Sequence, residues 1–423
     1  MHRLFRHLII LRIVTAIFLI SVFGQSPKST DLPAVRETPS PASANSAEPN
    51  LYSDGRGRIY LSWIEKTGER RHALKFSVRE KSKWSEPRLI AEGDNWFVNW
   101  ADFPSVMAAA DGSMVAHWLV KSGSDTYAYD VNISRSTDRG KTWSKPLTPH
   151  RDQTKTEHGF VSLLPLPGGR IAAAWLDGRQ LTSKNHSDGG HGASSNEMTL
   201  RYTTVGRDGR LAEDEMLDPR VCECCQTSAA MTSEGPVIVY RDRSEKEIRD
   251  ISIVRFAKGR WIKPRTVHAD GWEINGCPVN GPSVAARRRR VAVAWFSGAK
   301  DTPQVKVAFS NDAGASFNQP FRVDDGDPVG RVAALILPNG SALVVWMERA
   351  EKGAEIRARL IRPDGSRDGS ITVARSSAAR ASGFPRVARA GNDIVFAWTE
   401  PGNPSRVRTA VIDITGYKSG GEL

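Results

Sequence analysis

The chain has 423 residues, 39% of them apolar, and a formal net charge of +12. The apolar share is ample for a sizeable core, and the positive balance favours anionic partners such as acidic glycans or cell-surface polymers. No apolar span follows the N-terminal one, which excludes a polytopic membrane protein, and the basic residues are too scattered for a nucleic-acid binder. The arginine run at 287–290 falls where a strand-to-strand turn is expected and reads as a solvated turn.

In chain order, a basic start precedes an apolar stretch over residues 8–23 that is interrupted only by Arg12. Val22 and Gly24 are small enough for a cleavage site, so residues 1–24 read as a signal peptide and the protein as periplasmic or secreted. An uncleaved N-terminal membrane anchor is the alternative. Removal of Arg3, Arg6 and Arg12 with the signal leaves a charge of about +9. Residues 25–49 are rich in Pro, Ser and Ala without periodicity and read as a disordered linker, in which residues 32–36 are a candidate closing strand. Residues 50–415 read as a single domain and 416–423 as a tail.

Within 50–415 one phrase recurs. A short apolar strand, a glycine-containing turn, and a second strand ending in an aromatic residue are followed by a third, alternating strand. The aromatic markers are Trp63, Trp118, Trp175, Tyr240, Trp295, Trp346 and Trp398. Their spacing of roughly 50 to 65 residues is that of propeller blades. The fold class is therefore all-β, a β-propeller with seven blades by repeat count. The seventh repeat stops after its third strand, so an N-terminal strand is expected to complete it.

Residues 136–143 read Ser-Thr-Asp-Arg-Gly-Lys-Thr-Trp. Asp138 can accept N–H groups within a tight turn begun by Ser136. Gly140 can supply a positive φ, and Thr142 and Trp143 suit the returning strand. A second copy keeps Ser310, Asp312 and Gly314, with Ser316 and Phe317 in the last two key places. These boxes resemble the Asp-boxes of the bacterial neuraminidase repeat, so the chain resembles the sialidase superfamily after about residue 50. That resemblance implies six blades, against the seven counted. A narrower resemblance, carried by Cys222-Glu-Cys-Cys225, Tyr240-Arg-Asp-Arg243 and Cys277-Pro-Val-Asn280, is to exported bacterial proteins labelled sialidase-like.

The loops opposite the boxes gather polar residues. Acidic residues follow the markers at Glu65, Asp177, Asp242, Glu348 and Glu400, and arginines accompany them. One reading is an anion pocket in which Arg179, Arg241, Arg243, Arg331 and Asn280 bind a ligand, with Asp177 and Asp242 as acid/base candidates. The other is that these pairs tie neighbouring blades together. Sialidase chemistry implies a Tyr nucleophile and an early Arg-Ile-Pro motif. Here Asp102-Phe-Pro-Ser105 stands where that motif belongs, and the only tyrosine after Tyr240 is Tyr417.

The four cysteines, Cys222, Cys224, Cys225 and Cys277, all lie in links entering neighbouring blades. They predict a disulfide from the cluster to Cys277, or alternatively a copper or zinc site that His158 and the histidines at 186–191 would join. Three functions stay open: an exported glycan-active enzyme, a non-catalytic propeller binding an acidic ligand, and a metal- or redox-linked protein. Oligomeric state is not legible.

Overall fold

The marker strands explain the architecture. Ile59–Lys66, Ile171–Asp177, Arg290–Ser297, Ala342–Arg349 and Asp393–Glu400 run small or β-branched residues into a tryptophan. Such strands pack on both faces, which is what sheets stacked around an axis require. Every marker aromatic is buried, with Trp63, Trp175, Tyr240 and Trp346 at 0% exposure.

The computed structural model describes residues 32–181, 197–415 and 417. The expected cleavage site and the histidines at 186–191 fall outside the described residues. No helix among those described is long and apolar enough to cross a membrane. Seven antiparallel sheets follow one another in chain order, so the counted seven blades are found and the six of a sialidase are not. Six hold at least four strands. Blade 2 has three (Ser105–Ala108, Met114–Lys121, Tyr129–Ser136), and its fourth is reduced to a bridge between Ile133 and Leu147.

The linker expectation is corrected. Arg36–Thr38 forms a strand beside Arg406–Asp413, pairing Arg36 with Val411 and Thr38 with Thr409. It is the missing fourth strand of blade 7. The inner strand of blade 1 already begins at Ser46. Leu32 is buried in the blade 6–7 core beside Ile394 and Ile412, so this stretch has the apolar anchor that its Pro/Ser/Ala composition obscured.

Inner strands are held to one another by hydroxyls. Ser162 and Thr227 are 2.7 Å apart, Val284 N–H donates to Ser228 Oγ, and Ala334 N–H donates to Ser283 Oγ. Small side chains let the seven strands converge on the axis.

The two box turns are built alike. In blade 2, Gly140 N–H donates to Ser136 Oγ, and Thr142 donates to both carboxylate oxygens of Asp138. In blade 5, Gly314 N–H donates to Ser310 Oγ, and Ser316 N–H donates to Asp312. Trp143 packs edge-on against Phe76 of blade 1, so the turn ties its blade to the preceding one. Gly140 has φ of 79° and a Cβ there would lie 2.4 Å from Phe76 Cζ. Gly391 has φ of 59° but open space. Gly140→Ala is therefore expected to cost about 2–4 kcal/mol in urea unfolding, and Gly391→Ala about 1 kcal/mol, the backbone part alone.

Candidate functional site

In an antiparallel meander, turns alternate between the two edges of each blade. The box turns lie on one face. The loops after the marker strands and the links between blades lie on the other.

The acidic residues two positions after the markers have a packing role. Trp175 Nε1–H donates to Asp177 at 2.7 Å, Trp346 to Glu348 at 2.5 Å and Trp63 to Glu65 at 3.4 Å. Each satisfies a buried indole N–H that would otherwise cost about 1–3 kcal/mol. Asp177 is fully buried and also receives Arg179 Nε and Nη2, both at 2.7 Å. Arg179 then reaches Asp214 at 3.0 Å and Asp152 at 3.6 Å.

Beside this pair, His150 and His158 stack face to face, 3.7 Å apart and 3° from parallel. Asp152 spans their edges, 3.2 Å from His150 Nδ1 and 3.2 Å from His158 Nε2. Ring lone pairs lie in the ring planes, so two parallel stacked imidazoles cannot converge on one ion. Arg179, Asp152, Asp177 and the two imidazoles form one polar network, and His158 is not grouped with the cysteines.

Deeper, Tyr129 donates its hydroxyl toward Glu157 at 2.9 Å and Asp102 at 3.2 Å, while Phe160 N–H donates to Asp102 at 2.9 Å. Burial pushes Asp102 up to about 7 against those hydrogen bonds, and holds Glu157 and Glu48 well above the usual carboxylate range. Glu48 and Phe160 are non-glycine residues at φ of 57° and 52°, and both sit at irregularities of inner strands.

Around blade 4 the structure gathers Arg241, Asn280, Arg243, Asp242 and the cysteines. Arg241 is 1% exposed and donates to the carbonyls of Asn280, Arg249 and Phe296 over the face of Trp272. Asn280 accepts Arg331 N–H at 2.6 Å and donates its own N–H to Cys225 Sγ at 3.4 Å. Arg331, 5% exposed, donates to the carbonyls of Ala378, Ala379 and Gly383 and lies over Trp100. Arg243 pairs with Glu247 at 2.8 Å. Asp242 accepts Ser252 Oγ–H at 2.9 Å, and burial raises it. Its neighbour Asp218 is pushed up to about 6 by burial and then by the charge of Asp242.

The expected disulfide to Cys277 is not formed in this structure, where all four cysteines are free thiols. Cys222 Sγ lies 3.7 Å from Cys224 Sγ and 3.6 Å from Cys225 Sγ, far beyond the bonded distance of about 2 Å. The three sulfurs lie within 4.8 Å of one another, and Cys277, in the next link, is exposed and outside that group. Arg249, fully buried, donates to Cys222 Sγ at 3.2 Å and pairs with Glu223 at 3.1 Å. Burial raises the Cys222 thiol to about 11. Against burial, hydrogen bonds from Cys222 and Cys224 and the charge of Arg241 hold Cys225 well below the usual thiol range. Arg249 and Glu157 are the participants that sequence reasoning missed. Glu157 offered no repeat to betray it, whereas Arg249 follows the marker Tyr240 in the same loop as Arg243.

No family model matches the chain, and a search of the curated proteins finds no match. Among solved structures, the chain is similar to a protein of unknown function from Dyadobacter fermentans. That match has TM-score 0.50 and 15% identity, and covers 88% of this chain and 95% of the other. It is also similar to the GH93 α-L-arabinofuranosidase of Fusarium graminearum, with TM-score 0.50 and 13% identity, covering 77% and 96%. NanB sialidase from Streptococcus pneumoniae aligns with TM-score 0.47 and 9% identity over 90% and 94%. At these identities the likeness is one of fold: the chain is an all-β, seven-bladed propeller.

Proposed function

We propose that this propeller binds a soft metal ion, copper(I) or zinc(II), through Cys222, Cys224, Cys225 and Cys277 on the face opposite the boxes. The observation that carries the reading is the sulfur spacing of 3.6 and 3.7 Å about Cys222. A tetrahedral zinc site with Zn–S near 2.3 Å has sulfur–sulfur edges of about 3.8 Å, so the thiols of Cys222, Cys224 and Cys225 need little rearrangement to ligate, and Cys277 would close in from the next link as the fourth. Thiolates select copper(I) and zinc over harder cations. Arg249 against Cys222, with Arg241 near Cys225, offsets the negative charge of a metal–thiolate group.

The test is metal titration of the reduced full-length protein against a competing chelator. One equivalent of copper(I) or zinc is expected, with loss of free thiol titre on loading. Cys225→Ser should weaken binding by more than about 100-fold, beyond the 10- to 100-fold typical of changes outside the ligand set. Recovery of a Cys277-linked disulfide peptide, with no metal taken up after reduction, would overturn the reading.

A second reading, glycan hydrolysis, is favoured by the Asp218–Asp242 pair. Burial raises both carboxyls and the charge of Asp242 raises Asp218 further, which suits a group that must hold a proton for general-acid work. The Fusarium neighbour is itself named an arabinofuranosidase. A panel of acidic glycosides tests it: a parent protein without turnover ends this reading, and any turnover should vanish in Asp242→Asn.

A further inference from the structure

The blades enclose a cavity of about 410 Å³ on the axis, lined by residues of all seven inner strands. Among the lining residues there is no aspartate or glutamate. There is one cation, Arg386, at the start of the inner strand of blade 7. Among the described residues its guanidinium makes no hydrogen bond or ion pair, and it lies over the face of Phe103 at 4.6 Å. By contrast, the arginines of the opposite-face loops, Arg179, Arg241, Arg243, Arg249 and Arg331, are each committed to carboxylates or carbonyls.

The hydroxyls of the cavity wall are oriented by what they accept. Ser228 Oγ takes Val284 N–H and Ser283 Oγ takes Ala334 N–H. With a lone pair of each so occupied, the O–H is left to donate. Asn50, also on the wall, adds an amide donor, and its carbonyl oxygen is buried without a partner. The wall therefore offers a guanidinium, hydroxyl protons and an amide with no opposing carboxylate. Burial lowers the pKa of Arg386 only to about 10, so it stays charged at neutral pH.

We propose that the axial cavity is a binding site for a small anion, a sulfate or the carboxylate of a monosaccharide-sized sugar acid, held by Arg386 with Ser228, Ser283 and Asn50. A guanidinium fork matches either group bidentately, and the volume accommodates one sugar ring. This site is separate from the cysteines and does not depend on the metal reading.

The experiment is calorimetric and thermal titration of the full chain with sodium sulfate and with D-glucuronate, using glucose as the uncharged control. Saturable binding of sulfate or glucuronate, absent for glucose, is expected. Which of the two binds tighter distinguishes a simple anion site from a sugar-acid site. Arg386→Gln should weaken binding roughly 10-fold or more. Arg386→Lys, which keeps the charge, should restore part of it and covers the case in which the glutamine variant is unstable. Arg207→Gln removes the same charge from an exposed position, 71% accessible, and should change nothing. No saturable binding, or an equal loss in the Arg207 and Arg386 variants, would overturn the proposal.

Discussion

Replacing Arg241 by alanine is expected to cost roughly 4 kcal/mol or more of folding stability. Its guanidinium holds three main-chain carbonyls from three segments, Arg249, Asn280 and Phe296, and is 1% exposed. Alanine leaves those acceptors buried without donors, at about 1–3 kcal/mol each before relaxation, and opens a cavity beneath Trp272. A shift of the urea midpoint at constant slope measures the loss. Arg207→Ala, at an exposed site, should stay within about 0.5 kcal/mol. Unchanged stability in Arg241→Ala together with lost anion binding would return Arg241 to the ligand-binding role that the sequence suggested.

Asp102→Asn is expected to make the protein more stable than the parent at pH 8 and no more stable near pH 4. A carboxyl raised to about 7 in the folded state stabilises fully below its unfolded value near 4, and that contribution is lost as pH rises through 7. The parent should lose roughly 2–4 kcal/mol from this group across that window, and the asparagine variant should not. The amide fits the site: its oxygen accepts Phe160 N–H, its nitrogen donates to Tyr129, and Tyr129 still donates to Glu157. Thermal melts of both proteins from pH 4 to 8 read the difference. Parallel curves would show that Asp102 is ionised in the folded protein throughout.

The blade count was legible because it rests on a repeated physical demand. Every blade needs a large buried aromatic at one height, and Trp63 through Trp398 meet it with a visible period. The candidate site was legible only in part, for a related reason. The acidic positions after the markers recur around the ring, and a catalytic group has no cause to recur. In Trp63–Glu65, Trp175–Asp177 and Trp346–Glu348 the repetition records indole capping. The arginines were harder still. Sequence places Arg241 and Arg331 in the right loops but does not say that their forks turn inward to carbonyls, because those acceptors are main-chain atoms with no sequence signature. The cysteines could be brought together from their links, whereas the charge balance at Arg249 and Glu157 and the cavity-lining guanidinium of Arg386 emerge only from the three-dimensional structure.

The closing strand has a consequence for the order in which this protein is made. Arg36–Thr38 finds its partner in Arg406–Asp413, at the other end of the domain. During synthesis the early strand is an exposed edge until more than 360 later residues have emerged. The ring cannot seal blade by blade, and its last step joins the first-made segment to the last-made one. Such distant pairing makes folding slow and leaves an edge open to intermolecular strand addition. A ribosome-bound chain truncated before residue 406 should therefore stay protease-sensitive and captured by holdase chaperones, whereas release of the full domain should bring protection in one late step.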